Sequence, residues 1–220
     1  MPDVGKFTRV CAYDRPSEGK SDPAPRPLRR FGSHTYIELR TGRQIVQDLH
    51  RLLAKAGEAG PYVLVGHSLG GLYAILYANQ YPKDSVGMVL VDASHPDQDA
   101  RAAALRGPEL TKRNHDELMQ NEEGADIDQL FAQVRAEHWH SNIPLYVLAK
   151  GHVRPPPSGW TSEQWTKYTQ AQREMQADHA QRSPNSKLII AEKSGHSIHK
   201  DQPELVIDAI KQVVNFARNK

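Results

Sequence analysis

Apolar residues in this chain gather into short runs, separated by stretches where they recur every three or four positions, the alternation expected of strands and amphipathic helices. The runs are Phe7 to Tyr13, ending at Asp14; Tyr62 to Gly66; Val86 to Val91, ending at Asp92; Ile143 to Leu148, whose proline suits a strand start; and Lys187 to Ala191. Between them, Thr41-Gly42-Arg43-Gln44 has capping-box spacing, and Ile45, Val46, Leu49, Leu52, Leu53 and Ala56 follow at helical intervals up to Gly57. Gly70 to Tyr81 predicts a buried helix stopped by Pro82, and Trp160 to about Arg182 an amphipathic one capped by Thr161 or Ser162. A last helix, capped by Asp201 before Pro203, puts Leu205, Val206, Ala209, Ile210, Val213, Val214 and Phe216 on its buried side. Arg15 to Thr35, broken by four prolines, and Gly151 to Gly159 predict loops.

Strands and helices thus alternate. The order predicts an α/β fold, a mostly parallel sheet of about five strands covered by helices on both faces, in one domain spanning 1–220. Residues 95–142 are polar, charged and helix-forming, and predict a lid insertion. Its Leu105, Leu110, Leu118, Met119, Leu130 and Phe131 could face an acyl chain or simply pack on the edge of the sheet. Trp160 and Trp165 could dock their helix or line a pocket.

Composition narrows the class. With 220 residues, 38% hydrophobic, 25% charged and a net charge of +2, the chain suits one soluble domain with a lean core. The basic residues Arg26, Arg29 and Arg30 sit among prolines and read as a solvated loop, so no nucleic-acid partner is expected. No run reaches the roughly 18 apolar residues of a membrane span, and Met1 to Lys6 lacks the apolar core of a signal peptide. A cytoplasmic location without a membrane partner is the default expectation. The lone Cys11 excludes an internal disulfide framework and is expected to pack as a small hydrophobe.

Candidate chemistry concentrates at Gly66-His67-Ser68-Leu69-Gly70, set between an apolar strand and an apolar helix. Glycines two before and two after the serine permit a tight strand-to-helix turn that exposes the hydroxyl and aims the first helix amides at one point, where an anion is favoured. Ser68 is therefore the candidate nucleophile. A serine needs a base, and His196 in Ser194-Gly195-His196-Ser197 emerges past the last strand at the same sheet edge. The base needs a carboxylate. Asp92, at the end of the strand after the elbow helix, is preferred over Asp97 and Asp99 on the adjoining loop. Asp14 reads as a turn residue, Asp201 as a helix cap, His199 as a packing or capping residue and His67 as a shaper of the turn. His138 and His140 have no third ligand at metal spacing, so neither metal nor cofactor is expected.

These residues resemble the α/β-hydrolase fold family. Cys11-Ala12-Tyr13-Asp14-Arg15, Gly66-His67-Ser68-Leu69-Gly70-Gly71, Val89 through Pro96, and Ser194 through His199 are similar to motifs of its small bacterial esterase-like members, in family order along nearly the whole chain. The resemblance implies Ser68 as nucleophile, His196 as base and the Leu69 amide as one oxyanion donor. Many members carry the acid after the strand corresponding to Leu145–Ala149; here no carboxylate follows until Glu163, which implies the variant position Asp92. Members usually have further strands and a His-Gly segment ahead of the stretch like Phe7–Asp14, and that turn supplies a second oxyanion amide. Only six residues precede Phe7, so a fragment, a weakly active short member, or a gap filled by another segment or subunit is implied. The expected activity is hydrolysis of a small-molecule ester or related acyl substrate. A non-catalytic ligand- or partner-binding module is the alternative. Acyl transfer, haloperoxidase-like chemistry and carbon–carbon hydrolysis remain open on the same scaffold.

Overall fold

The computed structural model describes residues 2–23, 28–31, 33–137 and 140–219, with backbone alone for 28–31 and 34–37. Along the chain lie α1 (Pro2–Gly5), β1 (Leu28–Phe31), β2 (His34–Ile37), α2 (Gly42–Lys55), β3 (Tyr62–His67), α3 (Leu69–Gln80), β4 (Ser85–Val91), α4 (Gln98–Arg106), α5 (Pro108–Met119), α6 (Ile127–Ala136), β5 (Leu145–Lys150), α7 (Ser162–Ala180), β6 (Ser186–Ala191), α8 (Ile198–Asp201) and α9 (Pro203–Arg218). Strands β3, β4, β5 and β6 form a parallel sheet in sequence order, and β1 and β2 form a separate antiparallel hairpin.

The sheet is buried from two sides. On one face, the all-apolar stretch Leu72 to Ala78 of α3 packs with Ile45 and Val46 of α2 against Met88, Leu90, Leu145 and Val147. On the other, Val206, Ala209, Ile210, Val213 and Val214 of α9 cover Val89, Val91 and Leu148. The central strand β4 is buried almost end to end, as a parallel strand covered on both faces must be. Thr41 closes the expected capping box with Gln44 on α2, and Thr161 does the same with Gln164 on α7.

The sequence expectations need five corrections. Phe7 to Tyr13 is not a strand: it follows α1 without entering a sheet, which holds four strands instead of five. Strand-forming residues favour a pleated, half-buried surface, and this segment finds no ladder partner among the described residues. Val10 and Tyr13 are exposed, and the segment is tethered by ion pairs of Arg9 with Glu58 and of Arg15 with Glu123. Cys11 is likewise exposed and packs in no core. Residues 15–35 are not wholly irregular, because β1 and β2 begin a hairpin there. Phe216 is 40% exposed and stands outside the buried stripe of α9. Asp201 does not cap α9; Gln202 holds that position, and Asp201 turns back to accept a hydrogen bond from the Gly195 amide at 3.0 Å. Asp14 behaves as expected, accepting the Lys20 amide at 3.0 Å in a turn.

Within residues 95–142 the helices differ in kind. Ile127, Leu130, Phe131 and Val134 of α6 belong to the α2–α3 core. Helix α4 packs on α7, and α5, with no buried residue, packs on α4. Arg26, His138 and Trp139 lie outside the described residues, and His140 is exposed.

Candidate active site

Parallel strands end together, so one edge of the sheet collects the residues that follow β3, β4, β5 and β6. Ser68 follows β3, Asp92 follows β4, Lys150 ends β5 and the His196 loop follows β6.

Ser68 sits on the corner between β3 and α3 with φ 54° and ψ −127°, a conformation that costs a non-glycine residue about 1–3 kcal/mol and persists only when its surroundings hold it. Several bonds do so. The Ser68 amide donates to the Val91 carbonyl at 3.3 Å, and the Ser68 carbonyl accepts from the Gly71 and Ser94 amides at 3.0 Å each. Close approach depends on two glycines. A Cβ on Gly66 would lie 2.4 Å from the Gly70 carbonyl oxygen and 2.6 Å from the Gly71 nitrogen; one on Gly71 would lie 2.4 Å from the Ala93 Cβ. Gly70, in contrast, faces open space. The second glycine that the turn requires is thus Gly71 rather than Gly70. The amides of Leu69 and Gly70 open α3, ahead of its first intrahelical bond, and carry the positive end of the helix dipole.

His196 Nδ1 lies 2.6 Å from Asp92 Oδ2. Asp92 is 6% exposed at its side chain and has φ 40°. Burial alone would raise its carboxyl, but the His196 hydrogen bond, the Lys150 ammonium 3.6 Å from Oδ2 and the Lys150 amide 3.2 Å from Oδ1 outweigh it, holding the carboxyl below the usual carboxylate range. An ionised carboxylate only accepts, so Nδ1 of His196 carries the hydrogen, and in the neutral ring Nε2 carries the lone pair. The preceding residue of the elbow is tied to the same loop: His67 Nε2 donates to the His196 carbonyl at 2.9 Å, and the two rings stand 4.5 Å apart. Burial holds the His67 imidazole below its ordinary pKa, which fits a neutral donor. Ser68 is half-buried, and its Oγ makes no hydrogen bond among the described residues.

The remaining candidates separate cleanly. Asp97 pairs with Arg135 at 2.8 Å, and Asp99 lies 3.7 Å from Arg106; neither is bonded to His196. His199 packs its ring edge-on to His67 at 4.7 Å. Trp165 lines the cavity beside His196, and Trp160 meets its ring edge-on at 5.5 Å. Among the described residues no group of three His, Cys, Asp or Glu could hold a metal ion.

Lys150 and the inner face of α7 carry contacts that the sequence left unread. Gln176 Nε2 donates to the Ala93 carbonyl at 2.7 Å and His179 Nε2 to the Ser94 carbonyl at 2.9 Å, so α7 clamps the two residues after Asp92. His95, on the same loop, lies 2.8 Å from Asp178. No local motif marks these residues; only helical spacing, with Gln176 and His179 three apart, could have suggested a shared face.

His179 is fully buried, and burial first, then neighbouring His95 and Arg182, push its pKa from 6.5 down to about 3. Unfolded, the imidazole takes a proton near its ordinary value; folded, it does not. The unfolded state therefore binds more protons between those two values, and stability, complete above pH 6.5, is lost as pH falls toward 3. The slope from this group is at most about 1.4 kcal/mol per pH unit. His179→Gln is expected to flatten the pH dependence of urea unfolding between about pH 6 and 5 by roughly 1 kcal/mol. An unchanged slope would mean that His179 titrates normally in the folded chain.

The fold agrees with comparisons to known proteins. The family model described as the alpha/beta hydrolase family matches residues 3–209, and the chain belongs to that family. It is 29% identical over 217 residues to the uncharacterized protein YqjL of Bacillus subtilis, covering 97% of this chain and 76% of YqjL. Among solved structures, a hydrolase from Pseudomonas aeruginosa is 18% identical with a TM-score of 0.57, covering 97% of this chain and 82% of that one. A bromoperoxidase from Bacillus anthracis is also 18% identical with a TM-score of 0.57, covering 92% and 80%. At such identities the structural likeness speaks to fold alone. No helix among the described residues is long and apolar enough to cross a membrane.

Proposed function

We propose that the chain is a serine hydrolase acting on a small-molecule ester or related acyl substrate, with Ser68 as nucleophile, His196 as general base and Asp92 as its orienting acid. The single observation that carries this reading is the 2.6 Å bond between Asp92 and His196 at the sheet edge that also presents Ser68 on a strained elbow. With Nδ1–H held by Asp92, Nε2 of His196 is free to take the Ser68 proton as Oγ attacks the substrate carbonyl. The Leu69 amide donates to the resulting oxyanion. The imidazolium then gives its proton to the leaving alkoxide, producing the alcohol and acyl-Ser68. Water, deprotonated by His196, attacks the acyl carbon; collapse returns the proton to Ser68 and frees the carboxylic acid. No cofactor or metal enters these steps.

In unliganded sites the nucleophile-to-base contact is often longer than a hydrogen bond and tightens with substrate. The unbonded Ser68 Oγ equally favours a second reading, a binding module that never transfers the proton. Hydrolysis of 4-nitrophenyl butyrate separates the two. Turnover by the wild-type chain that disappears in Ser68→Ala supports the hydrolase. Turnover equal in both would remove Ser68 from the mechanism, and ligand-induced stabilisation that survives Ser68→Ala without turnover in either chain would favour the binding module.

A further inference from the structure

A cavity of about 700 Å³ opens beside His196, walled by the loop after β5, by α7 and by the His196 loop. Four cations, Lys150, Arg154, Arg173 and Lys200, line it against two carboxylates, Asp92 and Asp201. That surplus equals the formal net charge of +2 of the whole chain, so the rest of the molecule is balanced. Both carboxylates are already engaged, Asp92 by His196 and Lys150, and Asp201 by the Gly195 amide. Arg154, Arg173 and Lys200 have no carboxylate partner among the described residues. Nine arginines elsewhere do: Arg9, Arg15, Arg40, Arg43, Arg51, Arg101, Arg106, Arg113 and Arg135. Apolar wall between the cations comes from Val153, Pro155, Pro157 and Trp165.

Resting on the hydrolase reading above, we infer that this cavity receives an anionic substrate: an ester with a short apolar body and a carboxylate or phosphate group, read by Arg154 and Arg173. Guanidinium groups suit either anion because their planar donors can bind two oxygens at once. Lys200 adds an attractive field that favours the anion's approach. Asp92 opposes it only weakly, being paired with Lys150, whereas Asp201, bonded to the neutral Gly195 amide, keeps its charge, so Arg154, Arg173 and Lys200 face one uncompensated carboxylate.

The test compares mono-4-nitrophenyl glutarate with 4-nitrophenyl pentanoate, which differ by the distal carboxylate. At low ionic strength kcat/KM is expected to favour the anionic ester about tenfold or more, and about 0.5 M sodium chloride to erode the preference. Arg154→Gln/Arg173→Gln is expected to reduce the ratio toward one; both side chains are exposed, so the fold survives the change. Turnover with no preference for the anion overturns the inference and leaves the hydrolase intact. Calorimetry with glutarate and with inorganic phosphate reads the cavity without turnover. Millimolar or tighter binding to the wild-type chain, weakened in the double variant, supports the inference even if no ester is cleaved, and the tighter of the two ligands names the anion. No binding of either, or equal binding by both chains, overturns it.

Discussion

Asp92→Asn is expected to lower kcat/KM for a nitrophenyl ester by roughly 10³- to 10⁴-fold, the scale seen when the orienting carboxylate of such a relay becomes an amide. The reasoning runs through one hydrogen. Asp92 accepts from His196 Nδ1 at 2.6 Å, which fixes the tautomer whose Nε2 can take a proton. An asparagine amide turned toward His196 donates instead, placing the hydrogen on Nε2, where it blocks proton transfer from Ser68. The side-chain oxygen can still accept the Lys150 amide, so the loop keeps its shape. Steady-state kinetics with a folding check by circular dichroism measures this. A loss below tenfold would mean that Asp92 does not orient the base, and that its bond to His196 is a structural one.

The two glycines of the elbow are expected to respond in opposite ways. Gly66→Ala drives a Cβ to 2.4 Å from backbone of the α3 first turn, which no side-chain rotation can relieve. The corner must open, at a cost of about 2 kcal/mol or more in urea unfolding. The displaced Ser68 should also lose roughly 10²-fold or more in kcat/KM. Gly70→Ala meets nothing within 4 Å and sits on a helix, so it is expected to be neutral or to stabilise by up to about 1 kcal/mol. Equal damage from both substitutions would show that the corner is not packed as tightly as its geometry indicates.

These contrasts mark where sequence patterning reaches and where it stops. Strands β3 and β4 and helices α3 and α9 were legible because each is a near-continuous apolar run or a strongly periodic stripe with a clear cap or stop, and their order placed Ser68, Asp92 and His196 on one edge. The G-x-S-x-G pattern located the corner but misassigned its second tight position, because whether Gly70 or Gly71 meets Ala93 depends on how α3 rolls against the loop after β4. Phe7 to Tyr13 read as a strand from its residues, yet a strand exists only with a partner, and the segment has none among the described residues. The same limit hid the hairpin of β1 and β2, whose pairing lies in the backbone. Lys150, Gln176 and His179 lie 58, 84 and 87 residues from Asp92 in sequence and converge on its loop only through the fold. Unpaired Arg154 and Arg173 could not be told from ordinary surface arginines until their neighbours were known.

The most direct measurement of the central claim is rapid acid quenching during turnover of a nitrophenyl ester, followed by proteolysis and mass spectrometry of the peptide containing Ser68. An acyl group on Ser68, present in the wild-type chain and absent in Ser68→Ala, is the expected result. Ester hydrolysis with no acylated Ser68 at any quench time, or with the acyl group on another residue, would contradict it.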